Sequence, residues 1–472
     1  MAGVSWRAAG VVLIATASFA LIALGLIRTS TVLVVVGVAI AAVPLLLHLF
    51  LRHPGVFAAA PGLVLGFAPF AAVPGTGIPL AVMLALVLVP LAMLHPYRGR
   101  QPLGVLGGAV IVFILVCLVA CLAAFTGGKG MWEYLKWAIA TGTMITAVCL
   151  DDPLRRVLMR AFVLGAAVGG LFTVAMLVLD PSGAWVNRFA FLGYGGDAAV
   201  NARTALVRGS EVLRASGLYV DPNSAGLVFL LALGIAGAVF AGARRAVLMA
   251  VLAGSLVATL SRSALLSLIV AALVLVVASR IHAAGRTAMV IAGLAMVAVI
   301  TMVPAVSSRL FDSFNSRDVG ASARLTALGN YPEQMSGFWL FGHGWHIREF
   351  YDPIYGYHVN FAANTPLIVI YRAGIFAGLV FLILLILALV LAVLAMRRGT
   401  PGAGVTGSVL IGLIFIGFQL DFPVVTMPPL AMAFALLLAQ VQVLAREGRP
   451  LSSDPGPASP RLRSVHVAEV PA

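Results

Sequence analysis

Long apolar runs recur along almost the whole chain, and they constrain its fold more than any other feature of the sequence. They begin within the first dozen residues and continue to about residue 445. A membrane-spanning helix needs about 20 apolar residues, and most of these runs approach that length. The chain is 62% hydrophobic and only 10% charged, with a mean hydropathy of +1.09. These values exclude a soluble globular protein of this length.

The apolar runs predict an all-α, polytopic integral membrane protein with about 12 to 14 transmembrane helices. The N-terminal run is interpreted as a first span and not as a cleaved signal peptide. Residues 1–445 form a single transmembrane domain, and residues 446–472, rich in Pro, Ser and Arg, form a disordered cytoplasmic tail. The predicted spans lie near residues 10–27, 31–51, 56–73, 77–94, 104–125, 132–150, 157–179, 222–241, 246–260, 262–279, 287–305, 363–395, 404–421 and 424–445.

Basic residues predict the orientation of the chain, because short cytoplasmic loops are enriched in Lys and Arg. With the N-terminus inside, seventeen arginines of the N-terminus, the short loops and the tail fall on the cytoplasmic side. The short outer turns then hold only Arg28, Lys129 and Lys136. Both termini are therefore expected in the cytoplasm. The net charge of +14 follows from this topology and does not indicate a nucleic-acid partner, because the arginines are spread between the apolar runs.

Two longer segments, residues 180–221 and 306–362, are placed on the outer face. The second forms a large extracytoplasmic loop, which we expect to contain short helices. Its density of aromatic residues is typical of a segment at the membrane interface, and it equally suits stacking on sugar rings. These aromatic residues are Phe338, Trp339, Phe341, Trp345, Phe350, Tyr351, Tyr355, Tyr357 and Phe361. Interface anchoring is the expected role for most of them.

Residues 247–279 contain a single charged residue, Arg262, inside an otherwise uncharged run. As one helix this run would be about 50 Å long, against a hydrocarbon core of about 30 Å. Arginines flank it at both ends, at Arg244 and Arg280, so both ends belong inside. The run therefore predicts a helical hairpin with the polar stretch TLSRS, residues 259–263, at its outer tip.

Arg262 at this tip predicts an anion site, because a guanidinium is always charged and forks onto phosphate oxygens. The alternative is that it reaches lipid headgroups or the carbonyls of the hairpin itself. Arg214 is expected to provide a second cationic contact near the membrane surface. Asp221 and Asn223 read as capping residues at the start of the next helix.

Further candidates lie in and just beyond the second loop. Arg324 and Arg372 complete a cationic ring in this interpretation, although a helix-packing role for Arg372 is an equal alternative. A metal site built from His343, His346 and Glu349 is not expected, because a spacing of three does not align side chains on a helix and no HExxH signature is present.

His358 is instead the candidate general base toward a hydroxyl group, since an unperturbed histidine titrates at about pH 6.5.

Four short motifs resemble the O-antigen ligase and O-antigen polymerase superfamily. They are TLSRSALLSL at the hairpin tip, RASGLYVDPNSAG opening a helix, a large outer loop that begins SAR and passes through WLFGHG, and NTPLxxxYRAGI. The resemblance covers roughly residues 205–420. Residues 1–200 add only a similar hydropathy profile.

The resemblance implies a metal-independent, inverting glycosyltransferase without a cofactor. Such an enzyme moves a glycan from an undecaprenyl-pyrophosphate carrier to a lipid or glycan acceptor, on the outer face of a bacterial inner membrane. Arg262 and Arg324 would hold the pyrophosphate and stabilise the leaving group, and His358 would deprotonate the acceptor. The family histidine commonly precedes the asparagine of H-N-x-x-L directly, whereas here Ala363 holds that position, before Asn364.

Three alternatives remain open. The chain could be a flippase of lipid-linked oligosaccharide, which would need cationic residues along a path through the bilayer. A non-catalytic homologue is the second alternative, given Ala363. The third is a peptidoglycan-type polymerase, whose motifs are not found here.

Overall fold

Helices make up nearly all of the structure, which is a computed structural model. It describes residues 16–21, 23–24, 27, 48–72, 77–97, 102–194, 203–207, 210–214, 216–278, 319–346, 364–398, 400–418 and 424–446. Within these ranges, five helices are long and apolar enough to cross a membrane. The chain is therefore an all-α polytopic membrane protein, as its apolar runs predicted.

The helices follow one another along the chain with few other elements between them. In order they are α1 Pro54–Phe67, α2 Leu80–Ala85, α3 Leu88–Leu94, α4 Gly104–Ala123, α5 Gly128–Cys149, α6 Asp152–Leu179, α7 Pro222–Val239, α8 Gly242–Ala258, α9 Arg262–Ala278, α10 Val319–Gln334, α11 Thr365–Met396, α12 Pro401–Gly417 and α13 Pro428–Arg446. The five spanning helices are α4, α6, α7, α11 and α13.

The segment between α6 and α7 contains short non-α elements. Two 3-10 helices, Ala184–Leu192 and Gly217–Tyr219, flank an antiparallel hairpin of β1 Arg203–Val207 and β2 Ser210–Arg214. In its register Arg203 lies opposite Arg214. The hairpin ends at Arg214 and so brings this arginine to a fixed position just before α7.

The predicted span 77–94 corresponds to a helical stretch, Leu80–Leu94, that is interrupted between α2 and α3. The N–H groups of Leu86 and Val87 bond three residues back, to Met83 and Leu84. Pro90 accounts for the break, since it lacks the N–H that would bond to the carbonyl of Leu86 in a continuous helix.

Two predicted helix starts were placed too late. α6 begins at Asp152 and not at 157, because the Asp151 side chain accepts a hydrogen bond from the Leu154 N–H (3.1 Å) and a proline fits the first turn. α5 begins at Gly128, so Lys129 and Lys136 belong to a helix and not to an outer turn.

Several sequence predictions fall mostly or wholly outside the described residues. The predicted spans 10–27, 31–51 and 287–305 lie largely there. The predicted tail lies there as well, apart from Arg446, which is the last residue of α13.

α7 is the central helix of the described bundle. Nearly all of its residues are buried, and it packs against α6, α8, α9, α12 and α13. Small residues allow these close approaches: a Cβ on Gly234 would lie 2.9 Å from Val409 of α12, and one on Gly226 would lie 2.8 Å from Ala264 of α9. The first turn of α7 therefore lies directly against the start of α9.

α8 and α9 form the predicted helical hairpin. α8 runs from the end of α7 toward Gly170 of α6, where Ser255 packs, and α9 then runs back past Gly412 of α12, where Ala271 packs. The two arms diverge, because α8 lies against α6 while α9 lies against α12, and both contact α7. The break at residues 259–261 is thus confirmed, and the tip lies at the N-terminal end of α7.

Candidate functional site at the helix hairpin tip

The hairpin tip is a tightly bonded turn. Leu260 adopts a left-handed conformation, with φ of +51°, which is uncommon for a residue with a side chain. The Thr259 hydroxyl donates to the Leu256 carbonyl (2.7 Å) and accepts from the Ser261 N–H (3.2 Å). Thr259 and Ser261 are fully buried. These bonds hold the turn in one shape and so fix where α9 and Arg262 begin.

Arg214 joins the tip to the start of α7. Its Nε donates to the Thr259 carbonyl (3.2 Å), and its Nη2 donates to Asn223 Oδ1 (2.9 Å) and to the Leu260 carbonyl (3.5 Å). One guanidinium therefore links the end of β2, the first turn of α7 and the hairpin. This positioning role was not predicted from the sequence, which indicated only an anion contact.

Asp221 caps α7, as predicted. Its side chain accepts from the N–H groups of Asn223 (2.8 Å) and Ser224 (3.1 Å), and also from the Ser224 hydroxyl. Asn223 has a different role from the predicted cap, because its side-chain oxygen accepts from Arg214. The cap and the arginine link together fix the first turn of α7 beneath the tip.

Arg262 is the first residue of α9 and is half-buried. The first turn of α9 contains no acidic residue. A helix N-terminus carries a positive partial charge and exposes backbone N–H groups, so an arginine there adds to positive charge and does not offset it. With Arg214 bonded to the same turn, this end of the bundle concentrates positive charge at one place. Such an arrangement favours a bound anion.

A second feature of the same end is a break in α11. Gly374 has φ of +78° and ψ of 178°, which interrupts the helix. The second loop fills the break with three backbone hydrogen bonds: His343 N–H to Tyr371 O (2.7 Å), Gly344 N–H to Arg372 O (3.0 Å), and Ile375 N–H to Trp339 O (2.8 Å). Non-helical backbone inside a membrane protein is stable only where such partners exist. The WLFGHGW segment, residues 339–345, is therefore a docked part of the bundle.

Trp345 inserts into the bundle from this docked segment. It is only 1% exposed, and its ring lies 4.9 Å from that of Trp137 and 5.4 Å from that of Tyr134. Trp345 therefore packs inside the bundle and does not anchor the loop at an interface, whereas Phe338 and Phe341 are exposed. The buried tryptophan anchors the loop to α5.

Arg372 stacks on Trp345, with its guanidinium carbon 5.4 Å from the ring centroid. Its Nη1 also donates to the Val425 carbonyl (3.4 Å). These contacts match the packing role that was the alternative interpretation of this arginine. The segment just before α13 connects this region to the tip, because Met427 accepts a 3.5 Å hydrogen bond from Ser224.

His343 is enclosed by aromatic rings. It stacks between Phe338 (4.0 Å) and Tyr371 (4.4 Å), and its Nε2 lies 3.0 Å from the Gln334 carbonyl. Burial lowers the pKa of His343, although the Gln334 contact partly opposes this. Among the residues that the structure describes, no three His, Cys, Asp or Glu side chains are grouped to hold a metal ion.

The structure places the remaining predicted residues only in part. Arg324 lies on α10, in the half of the helix toward its start, and nothing is described of its side chain. His358 and Ala363 lie outside the described residues. Asn364 caps α11 by accepting from the Leu367 N–H (3.1 Å). Arg214 and Arg262 are thus the two predicted residues that the described structure brings to one turn.

Sequence reasoning missed the partners of Arg214 for a physical reason. Two of them are the backbone carbonyls of Thr259 and Leu260, which no side-chain pattern marks. Asn223 could have been recognised from the sequence. It follows Asp221 at the start of one helix, where a single capping side chain is enough, so the other side chain is available for a different partner.

Comparison with protein-family models and with curated protein sequences finds no match for this chain.

Proposed function

We propose that the chain is a glycosyltransferase of the bacterial inner membrane. It takes a glycan from an undecaprenyl-pyrophosphate carrier and joins it to a lipid or glycan acceptor on the outer face. The observation that supports this best is Arg262 at the start of α9, on a turn to which Arg214 is also bonded. Positive charge fixed in advance at a membrane surface suits a diphosphate group, whose negative charge grows as it leaves.

Each candidate residue has a role in this reaction. The acceptor oxygen forms a bond to the anomeric carbon while the bond from that carbon to the pyrophosphate oxygen breaks, which inverts the configuration. His358 takes the proton of the acceptor hydroxyl, and Arg262 with Arg324 holds the departing diphosphate. Arg214 positions the turn that carries Arg262. The two guanidinium groups offset the two negative charges of the bound diphosphate diester, which is the role that a metal ion would otherwise have.

The distribution of charge favours this enzyme over a flippase. A flippase for an anionic lipid-linked glycan needs polar or cationic groups along its path. In the described part of the chain, α4, α7 and α12 contain no charged residue, and α13 contains only its terminal Arg446. The helices at the centre of the bundle therefore offer no cationic path between the two ends.

Substitution of the three candidate residues tests the proposal. Cells carrying Arg262→Ala, Arg324→Ala or His358→Ala are expected to accumulate carrier-linked glycan and to lose finished surface polysaccharide. Arg188→Ala is the control, because Arg188 is an exposed arginine in the segment between α6 and α7, apart from the three candidate residues. Membrane levels of each variant are measured in parallel.

The outcomes separate the parts of the proposal. Loss of product in all three variants supports both the diphosphate site and His358 as the base. Loss in the arginine variants alone keeps the diphosphate site and places the base elsewhere. Full activity in all three would refute the transferase. Arg262→Lys adds a sharper test, since lysine keeps the charge but cannot bind two phosphate oxygens in the same planar geometry, and we expect it to lose most activity.

A further inference from the structure

A second group of arginines lies at the opposite end of the bundle, where α4 and α6 begin and α13 ends. The Gln442 side-chain amide donates to the Leu103 carbonyl (2.5 Å), and Arg446 Nη1 donates to the Pro102 carbonyl (2.8 Å). These two bonds fix the last turn of α13 against the start of α4. The guanidinium of Arg446 is therefore held in place and does not sample solvent freely.

Two polar atoms in this group are buried without a hydrogen-bond partner among the described residues. They are Nη2 of Arg446 and Oε1 of Gln442, and Gln442 is only 2% exposed. Gly104 makes room for the arginine: its φ is +59°, and a Cβ there would collide with Nη2. A buried charged donor that lacks an acceptor is costly. Gln442 Oε1 is an acceptor but is not hydrogen-bonded to Nη2, so this donor lacks an acceptor among the described residues.

A second guanidinium lies close to the first. Arg155 is 5% exposed, donates to the Leu150 carbonyl (3.2 Å) and stacks over the Tyr97 ring at 5.6 Å. It is near enough for its charge to act on that of Arg446.

Two acidic side chains of the described residues lie at the start of α6, and both already have partners. The Asp152 carboxylate pairs with Arg155, and Asp151 accepts the Leu154 N–H that caps α6. The described residues thus provide two fixed positive charges, on Arg155 and Arg446, while Asp152 is already paired and Asp151 already caps α6. Within the described ranges, Arg446 hydrogen-bonds to neither acid, so its charge still favours an anion.

We propose that Arg446, supported by the charge of Arg155, binds the phosphate of an anionic lipid headgroup. The position favours a lipid, because the group lies at the ends of membrane helices and exposed apolar side chains surround it. Met93 at the end of α3 is 77% exposed, and Val105 at the start of α4 is 72% exposed. Guanidinium groups bind phosphate oxygens through paired N–H groups, and anionic lipids concentrate near clustered basic residues.

Thermal unfolding of the purified full-length protein in mixed micelles tests this site. Phosphatidylglycerol is compared with phosphatidylcholine for each variant, so that any loss of intrinsic stability cancels. In the wild type we expect the midpoint temperature of thermal unfolding to be about 2 °C or more higher in phosphatidylglycerol than in phosphatidylcholine. Arg446→Gln is expected to abolish this difference. Arg397→Gln is the control and should keep it, because Arg397 is exposed at the same end of the bundle.

Each outcome decides the proposal. An equal preference for phosphatidylglycerol in wild type and Arg446→Gln would overturn the site. Loss of the preference in Arg397→Gln as well as in Arg446→Gln would show a diffuse charge effect in place of a site. Inorganic phosphate is added alone in a further arm, and a midpoint rise equal to that with phosphatidylglycerol would assign the site to a soluble phosphate and overturn the lipid. This proposal does not depend on the glycosyltransferase activity.

Discussion

Arg214 acts as a positioning residue, because it donates hydrogen bonds to three oxygens on two other elements. Hydrogen bonds from a charged donor each contribute about 1.5–3 kcal/mol, less for the part-exposed contact to Asn223. We therefore expect Arg214→Ala to lower the free energy of unfolding by about 2 kcal/mol. Thermal unfolding of the purified protein measures this change.

Arg188→Ala is the control for Arg214→Ala, since Arg188 lies in the same segment between α6 and α7 but is exposed. It should change stability by no more than about 0.5 kcal/mol. Equal effects of the two substitutions would contradict the positioning role. Arg214→Lys should fall between wild type and Arg214→Ala, because one ammonium nitrogen cannot occupy both positions from which Nε and Nη2 of the guanidinium donate.

His343 predicts a pH dependence of the docked loop. An unfolded histidine has a pKa of about 6.5, and burial lowers the pKa of His343 in the folded state. The unfolded state then binds the proton more readily than the folded state. The contribution of His343 to the free energy of unfolding is therefore complete above about pH 6.5, and it is lost as the pH falls through the lower folded pKa. Hydrogen exchange of residues 338–346, corrected for intrinsic rates, should show weaker protection at about pH 5.5 than at about pH 7.5.

His343→Gln separates titration of the ring from other effects of acid. Glutamine keeps an N–H donor for the Gln334 carbonyl but does not titrate. Protection of the loop in this variant should be lower at both pH values and should no longer change between them. A pH dependence equal to that of the wild type would assign the effect to another group.

At the scale of elements, the break in α11 depends on a glycine. Gly374 has a positive φ, and a Cβ there would collide with the Leu340 carbonyl. We expect Gly374→Ala to destabilise the protein by about 2 kcal/mol or more and to release the docked loop. Hydrogen exchange of residues 339–345 and thermal unfolding measure the two effects.

Gly142→Ala is the matched control for the break. Gly142 lies inside α5, and a Cβ there meets no other atom within 4 Å. Alanine in an open helical position stabilises by up to about 1 kcal/mol, so this variant should be at least as stable as the wild type. If Gly374→Ala behaved in the same way, α11 would tolerate a continuous helix and the break would not be required.

The two helix breaks near the site differ in how far the sequence predicts them. The hairpin turn at residues 259–261 follows from length and charge, because the long run of residues 247–279, with one internal charge and basic ends, cannot cross a bilayer once. The break at Gly374 could not be predicted from the sequence, since a single glycine in an apolar helix is ordinarily tolerated. Its conformation depends on hydrogen bonds from residues 339–345, about thirty positions earlier in the chain.

The candidate site shows the same division between local and distant causes. The cap at Asp221 and the placement of Arg262 at a helix start were predictable, because both depend on neighbouring residues. The burial of Trp345 was not predictable, since an aromatic residue in a loop between spans equally suits the membrane interface. Its position is decided by the aromatic pocket that Trp137 and Tyr134 of α5 provide.

At the scale of the whole molecule, α7 connects two ends with different chemistry. Its start supports the hairpin tip with Arg214 and Arg262. Its last residue, Val239, accepts a hydrogen bond from Arg160 at the other end, where α6 and α13 carry further arginines. The more basic end is expected to face the cytoplasm, and the hairpin tip is then on the outer face.

Cysteine labelling with a membrane-impermeant maleimide tests this orientation. Arg188→Cys should react in intact cells, because Arg188 is exposed on the tip side, whereas Arg397→Cys should react only after the cells are permeabilised. The wild-type chain is the blank: its Cys117 and Cys121 are buried, and any labelling of its partly exposed Cys149 is subtracted. The reverse pattern would place Arg262 at the cytoplasmic face. Transfer of a carrier-linked glycan on the outer face would then be excluded, while the phosphate site at Arg446 would remain and would face the outer leaflet.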